Sequence, residues 1–216
     1  DNDLRAALKD DRGELLVHYQ PIVSLPDGAV LGVEALVRWE HRRLGMLAPS
    51  EFIPVAEDGG TIVALGDLVL RVACQQAAGW ASALGGSAFR VSVNLAPRQV
   101  AHPGLTNSVS EILAETGLDP ARLQLEITES ALVAESELTS RHLRELHALG
   151  IQPVPADFGT GYSSLAYLRP FPLDTPKLVL RLIPVRYITY ACRRSRRPSV
   201  GVRSARAKRK RGERAR

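Results

Sequence analysis

Residues 122–157 read RLQLEITESALVAESELTSRHLRELHALGIQPVPAD, and two periods follow one another within them. Residues 122–128 alternate apolar and polar, the period of a half-buried strand. Residues 135–149 place apolar side chains at three- and four-residue spacing, a helix that Gly150 closes, and 151–157 read as a second strand. One strand–helix–strand unit of this length is a βα crossover, which demands a parallel sheet.

The same alternation extends toward the N-terminus. Residues 15–23 (LLVHYQPIV) and 29–39 (AVLGVEALVRW) are strands joined by a turn at Pro26-Asp27-Gly28. A short helical segment, EFIPVAED, follows Pro49-Ser50, and residues 61–84 form a long amphipathic helix through Ile62, Leu65, Leu68, Val69 and Val72 that ends at Gly85-Gly86-Ser87. Residues 88–95 (AFRVSVNL) are a strand and 105–116 a helix. Beyond the opening unit, 160–169 make a short helical turn and 173–180 a last apolar run. A doubly wound sheet and a (β/α)8 barrel both accommodate this order; polar residues at several strand ends favour the barrel, which places its chemistry there.

Charge divides the chain. Residues 181–216 hold 14 of the 28 Lys and Arg but only Glu213 among 23 acidic residues, a net +13; residues 1–180 carry −8, and the overall +5 describes neither. Composition therefore predicts a globular body over 1–180 and a basic, disordered tail over 181–216, which ends in runs such as Lys208-Arg209-Lys210-Arg211. Two cysteines, Cys74 and Cys192, exclude a disulfide framework and point to a reducing cytoplasm. The stretch Ile62–Ala73 is expected to be too short and too charged to span a bilayer, and no start resembles a signal peptide. A chain that begins at Asp1 is expected to belong to a longer protein.

Five polar residues lie within or just after different strands: Glu34, Asn94, Glu126, Asp157 and Lys177. Singly, each has an ordinary explanation as a solvated face, turn chemistry or surface charge. In a barrel their strand ends converge, and three carboxylates so close raise one another's pKa unless a cation lies between them. All-oxygen ligands suit Mg²⁺ or Mn²⁺ rather than zinc, and Lys177 could orient a water.

Six ordered motifs then carry a resemblance: YQPI at 19–22, EALVRW at 34–39, PSEFIPVAE at 49–57, VNLAPRQ at 93–99, LEITES at 125–130 and DFGTGYSSL at 157–165. Over residues 19–180 the chain resembles the EAL-domain family of bacterial cyclic di-GMP phosphodiesterases. The resemblance implies a modified (β/α)8 TIM barrel that hydrolyses one phosphodiester of cyclic di-GMP to the linear dinucleotide. It implies Glu34, Asn94, Glu126 and Asp157 as ligands of two Mg²⁺ or Mn²⁺ ions, with Glu34 and Lys177 in the catalytic set. Gln20 and Arg38 would contact substrate, Arg38 by a guanidinium fork on phosphate. Glu129 would steady the loop after Asp157. Homodimerisation and fused sensory or cyclase domains follow from the same likeness, as does a cytoplasmic location.

Two departures qualify it. The family's paired aspartates before Phe-Gly-Thr-Gly are Ala156-Asp157 here, and alanine ligates nothing. After Lys177 come Leu178 and Val179 rather than the family's aspartate, no Gln follows Gln152, and no Glu-Gly-Val-Glu-like motif occurs. The chain is thus expected to supply about six of the eight strands, and an unclosed barrel leaves unpaired edges and poor solubility. The function expected is a truncated EAL phosphodiesterase domain, impaired or inactive; the alternative is a degenerate domain that binds cyclic di-GMP or a protein as a sensor. The tail reads first as the product of a reading-frame change, then as a solvated linker, and last as a nucleic-acid-binding arm acting by counterion release. Translating the coding DNA from about codon 178 in the other two frames should recover Glu-Gly-Val-Glu-like sequence; a frame that stays continuous in independent clones would overturn the first reading.

Overall fold

In the computed structural model, residues 1–9, 13–24, 26–83, 89–128 and 137–156 are described. The expected elements at 160–169 and 173–180, the tail over 181–216, and Glu129, Asp157 and Lys177 lie outside them. The elements are α1 (Asn2–Lys9), β1 (Leu15–Val23), β2 (Val30–His41), β3 (Gly45–Leu47), α2 (Pro49–Asp58), α3 (Ile62–Ala83), β4 (Arg90–Leu95), α4 (Pro97–Val100), α5 (Leu105–Thr116), a 3-10 turn at Pro120–Arg122, β5 (Leu123–Thr128), α6 (Glu137–Ala148) and β6 (Gln152–Ala156). The six strands form one sheet in the order β1-β2-β4-β5-β6, with β3 paired to β2. The sixth described strand is therefore the short β3, which has too few residues to show a period, and not the expected run at 173–180.

β1 runs antiparallel to β2, whereas β2, β4, β5 and β6 are mutually parallel. One face of this sheet is dry. Val91, Val93, Leu95, Leu123, Leu125 and Ile127 alternate along β4 and β5 and are 0–2% exposed. Helices cover them: α3 packs on β4, α6 on β6, and α5 touches both helices. The other face carries Glu34, Ser92, Asn94, Gln124 and Glu126. Helices on one face and polar side chains on the other match the wall of a TIM-like barrel rather than a doubly wound sheet, which buries both faces.

α6 stops where Gly150 takes a left-handed φ of 87°. There the N–H of Ile151 reaches the carbonyl of Leu146 at 3.1 Å and that of Gly150 reaches His147 at 2.9 Å. Both bonds satisfy otherwise orphaned carbonyls of the last turn. β6 begins at once, carrying Pro153 and Pro155 opposite Leu125 and Ile127 of β5. Neither proline has an N–H to give, so both serve the ladder only through carbonyl oxygens.

α3 is the buried helix of the fold, with Ile62, Leu65, Val69, Leu70, Ala73, Cys74 and Ala77 at most 6% exposed. Its segment Ile62–Trp80 has a mean hydropathy of 1.2. By length and composition alone, among the described residues, this one helix would suffice to cross a bilayer; its apolar side chains are instead buried against the sheet and α5. Gly66, Asp67 and Arg71 interrupt the apolar run without breaking the helix, whose bounds match the expected 61–84 closely. Burial pushes the Cys74 thiol up to about 12, so it stays protonated and unreactive. α1, which was not expected, buries Leu4 and Ala7; eight residues give too short a window for its period to stand out.

Two glycines of α3 show how closely it is fitted. A Cβ on Gly66 would fall 1.7 Å from Nε2 of Gln99, whereas one on Gly79 meets nothing within 4 Å among the described residues. Gln99 is itself 4% exposed and accepts the Ala96 N–H at 3.1 Å, so it cannot yield freely. Gly79→Ala should therefore stabilise the chain by about 0.5–1 kcal/mol through helix propensity. Gly66→Ala should lose that gain and destabilise by about 1–3 kcal/mol, the usual cost of overpacking. Denaturant melts of the two variants check this; equal stabilisation by both would exclude the Gln99 contact.

Candidate functional site

Register, not loop geometry, assembles the polar face. Gln20 on β1 pairs with Glu34 on β2, Glu34 with Ser92 on β4, Ser92 with Gln124 on β5, and Gln124 with Gln152 on β6. Cross-strand neighbours share a face, so five consecutive strands contribute one transverse row of polar side chains. Ser92 Oγ donates to Gln124 Oε1 at 3.1 Å, and Gln124 Nε2 to Gln152 Oε1 at 3.2 Å. These bonds link Ser92, Gln124 and Gln152 to one another; sequence reasoning missed the row, although the three sit two residues before Asn94, Glu126 and Val154 on adjacent strands.

The next row toward the carboxyl ends holds the candidate ligands. Asn94 pairs with Glu126, and Glu126 with Val154. Asn94 is exposed, yet its Nδ2 donates to Glu34 Oε1 at 2.9 Å. Glu126 is 8% exposed. The structure thus brings Glu34, Asn94 and Glu126 together from three adjacent parallel strands. Because the amide donates through nitrogen, its oxygen is left as an acceptor beside two carboxylates. This donor set fits a hard divalent cation and offers neither sulfur nor imidazole to a softer one. Ala156 lies one row further on, opposite Thr128.

Gln20 and Arg38 flank this set. Both are half-buried; Arg38 Nη1 donates to the carbonyl of Val37 at 2.8 Å. His18, passed over in the sequence, lies on the same face of β1 two residues before Gln20 and pairs with Leu36. Burial first, and the Arg38 guanidinium second, hold its imidazole below the ordinary value of 6.5.

Several residues of the conserved-looking motifs serve the scaffold instead. The carboxylate of Glu51 accepts the Ala48 N–H at 2.7 Å, and Gln99 does the same for Ala96, each closing the first turn of α2 or α4. Arg98 Nη1 donates to the carbonyl of Glu57 and so ties α4 to the end of α2.

A second polar cluster anchors α1 and was also missed. Asp3, Glu14, His41, Arg42 and Arg43 border a cavity of about 330 Å³. His41 Nδ1 accepts the N–H groups of Arg43 and Leu44 at 3.2 and 3.3 Å, which places the ring proton on Nε2, donating to Asp3 at 3.1 Å. Arg43 and then His41 hold the Asp3 carboxyl below its ordinary 3.8.

A largely parallel sheet with candidate oxygen ligands on its polar face, wrapped on the other by helices, defines an α/β protein of the TIM-like barrel class. The chain belongs to the EAL domain family, whose model matches residues 1–192. It is 51% identical over 176 residues to an uncharacterized signaling protein of Caulobacter vibrioides, covering 82% of this chain and 21% of that protein. It is 44% identical over 178 residues to the bifunctional diguanylate cyclase/cyclic di-GMP phosphodiesterase MucR of Pseudomonas aeruginosa, covering 82% of this chain and 25% of that one. Among solved structures, the PaMucR phosphodiesterase–c-di-GMP complex superposes with a TM-score of 0.75 at 43% identity, covering 81% of this chain and 70% of that one. The chain spans about a fifth to a quarter of the length of these two curated relatives.

The His18 environment makes a prediction with a definite sign. A depressed folded-state pKa means the unfolded chain binds the proton more readily, so His18 contributes stability that is full above about pH 6.5 and is lost as pH falls through the folded value. NMR titration should place His18 below 6.5, and Arg38→Gln should move it part of the way back up. An unchanged value in Arg38→Gln would remove Arg38 as a cause.

Proposed function

We propose that this chain is the ligand-binding part of a cyclic di-GMP phosphodiesterase domain whose turnover is crippled. The observation that carries the proposal is the convergence of Glu34, Asn94 and Glu126, with Asn94 held on Glu34 at 2.9 Å. The solved PaMucR complex with c-di-GMP supports the choice of ligand.

In this reading Glu34, Asn94 and Glu126 hold Mg²⁺ or Mn²⁺, together with Asp157. Bound there, the ions lower the pKa of water and offset charge on the phosphoryl oxygens. Arg38 forks onto a non-bridging phosphate oxygen and Gln20 fixes the nucleotide beside it. Lys177 orients the water, and Glu129 steadies the loop beyond Asp157. The water oxygen bonds to phosphorus, the bond from phosphorus to the leaving 3′ oxygen breaks, and that oxygen takes a proton. The product is linear pGpG.

Ala156 stands where a second aspartate would add a carboxylate, and residues 178–216 contain no Glu-Gly-Val-Glu-like motif. Loss of a charged group acting at the reacting phosphate costs on the order of 10²–10³ in rate. The second reading, a non-hydrolysing sensor of cyclic di-GMP, is favoured by the same Ala156, because Gln20 and Arg38 are retained. The lengths of the relatives support further domains in the parent protein, cytoplasmic like this one, that would regulate or pair it as a homodimer.

Incubation of the 216-residue chain with cyclic di-GMP and Mg²⁺ or Mn²⁺ tests this. Equilibrium binding is expected, with turnover at least about 10²-fold below that of an intact relative. Ala156→Asp should raise any turnover at least about tenfold, equivalent to roughly 1.4 kcal/mol of barrier. Turnover near that of the relative would overturn the crippled reading, and no binding would overturn the proposal as a whole.

A further inference from the structure

The polar face of β1 and β2 holds one ring that the foregoing chemistry does not use. His18 pairs with Leu36, between the pairs Gln20–Glu34 and Leu16–Arg38. It is therefore the diagonal neighbour of both Glu34 and Arg38, a separation that long side chains span. Its ring is half-buried and makes no hydrogen bond among the described residues. By contrast, Ser92, Gln124 and Gln152 in the adjoining row are bonded to one another, and Asn94 is bonded to Glu34. The other half-buried or buried imidazoles are spoken for: His41 bonds Asp3 and two amides, and His142 Nδ1 bonds the Val100 carbonyl at 2.9 Å.

The nitrogens of the His18 ring are not enclosed away from solvent, so water completes their hydrogen bonds until a ligand group displaces it. Burial and the neighbouring guanidinium both favour its neutral form, so it presents one N–H donor and one acceptor nitrogen. Arg38 is the cation whose field His18 feels, so an anionic group held by Arg38 lies beside His18 as well.

We infer that His18 is a further ligand-contacting residue, donating a ring N–H to the same phosphodiester that Arg38 engages. This rests on the cyclic di-GMP reading above. A neutral donor beside a guanidinium adds direction to a contact that charge alone leaves loose. It also explains a polar ring at a strand position whose neighbours on the opposite face, Val17 and Tyr19, are 1% and 3% exposed.

The test titrates cyclic di-GMP into the full chain and its variants. One such hydrogen bond predicts a loss of about three- to tenfold for His18→Leu. His18→Gln, which keeps a donor at similar reach, should bind within about threefold of the unaltered chain. In a double-mutant cycle with Arg38→Ala, the two losses should be less than additive, because both residues address one group. A second measurement needs no variant: the ring ¹⁵N resonances of His18 should shift on adding cyclic di-GMP. Unchanged affinity in His18→Leu with a loss in Arg38→Ala, or ring resonances that do not move at saturation, overturns the His18 contact and leaves the cyclic di-GMP reading standing. Failure of the unaltered chain to bind overturns both.

Discussion

Everything at the polar face depends on the strict two-residue alternation of β2, β4 and β5 in parallel register. Glu34, Asn94 and Glu126 face one another only because Glu34 aligns with Ser92 and Asn94 with Glu126. A slip of one residue in β5 would turn Glu126 into the helix layer and bring Leu125 and Ile127 out to water. That slip is opposed by the burial of Leu123, Leu125 and Ile127, each at most 1% exposed. The apolar residues of one face thus hold the carboxylates of the other in place. Close approach of β2 to β4 adds to the constraint: a Cβ on Gly32 would lie 2.3 Å from the Arg90 carbonyl oxygen, so the pairing tolerates no side chain there.

The motifs that mark the family divide by physical task. Glu34, Asn94 and Glu126 meet on the polar face, while Glu51, Arg98 and Gln99 close helix turns and fasten α4 to α2 and α3. Gln99 does two things at once: it caps α4 just beyond Asn94, and its amide fills the space that Gly66 leaves in α3. A substitution in the Leu95–Gln99 segment can therefore disturb the site without touching a ligand, because β4 leads directly into this turn.

Much of this was legible in the sequence. The strands at 15–23 and 122–128 and the helix at 105–116 follow from period alone, and their bounds agree with β1, β5 and α5 to within a residue. Glu34, Asn94 and Glu126 could be listed as strand-end residues, and the barrel argument brought them together. The row Gln20–Glu34–Ser92–Gln124–Gln152 could not be read, because it depends on cross-strand register, and no single strand encodes its neighbour's offset. His18 and His41 escaped for related reasons. An isolated histidine in a strand has no spacing signature, and the side-chain partner of His41, Asp3, comes from α1, 38 residues away in sequence. α1 and β3 were too short to show a period at all.

β6 is where fold and chemistry weaken together. Its sequence, QPVPA, gives the sheet two residues without an N–H donor and ends in a side chain that cannot bind a cation. Pro153 and Pro155 are two residues apart, so the missing donors fall on a single edge of β6, and the pairing with β5 runs unbroken from Gln152 to Ala156. In the proposed reading, Ala156 leaves Glu34, Asn94 and Glu126 with one carboxylate fewer to face a cation. The two features are independent in cause, one a backbone without an N–H and the other a side chain without an oxygen. Yet they fall within five residues, next to Glu126 on the neighbouring strand. An aspartate at position 156 would stand on a strand that β5 holds through the pairs Glu126–Val154 and Thr128–Ala156, so its carboxylate would be placed by the same register that aligns Asn94 with Glu126.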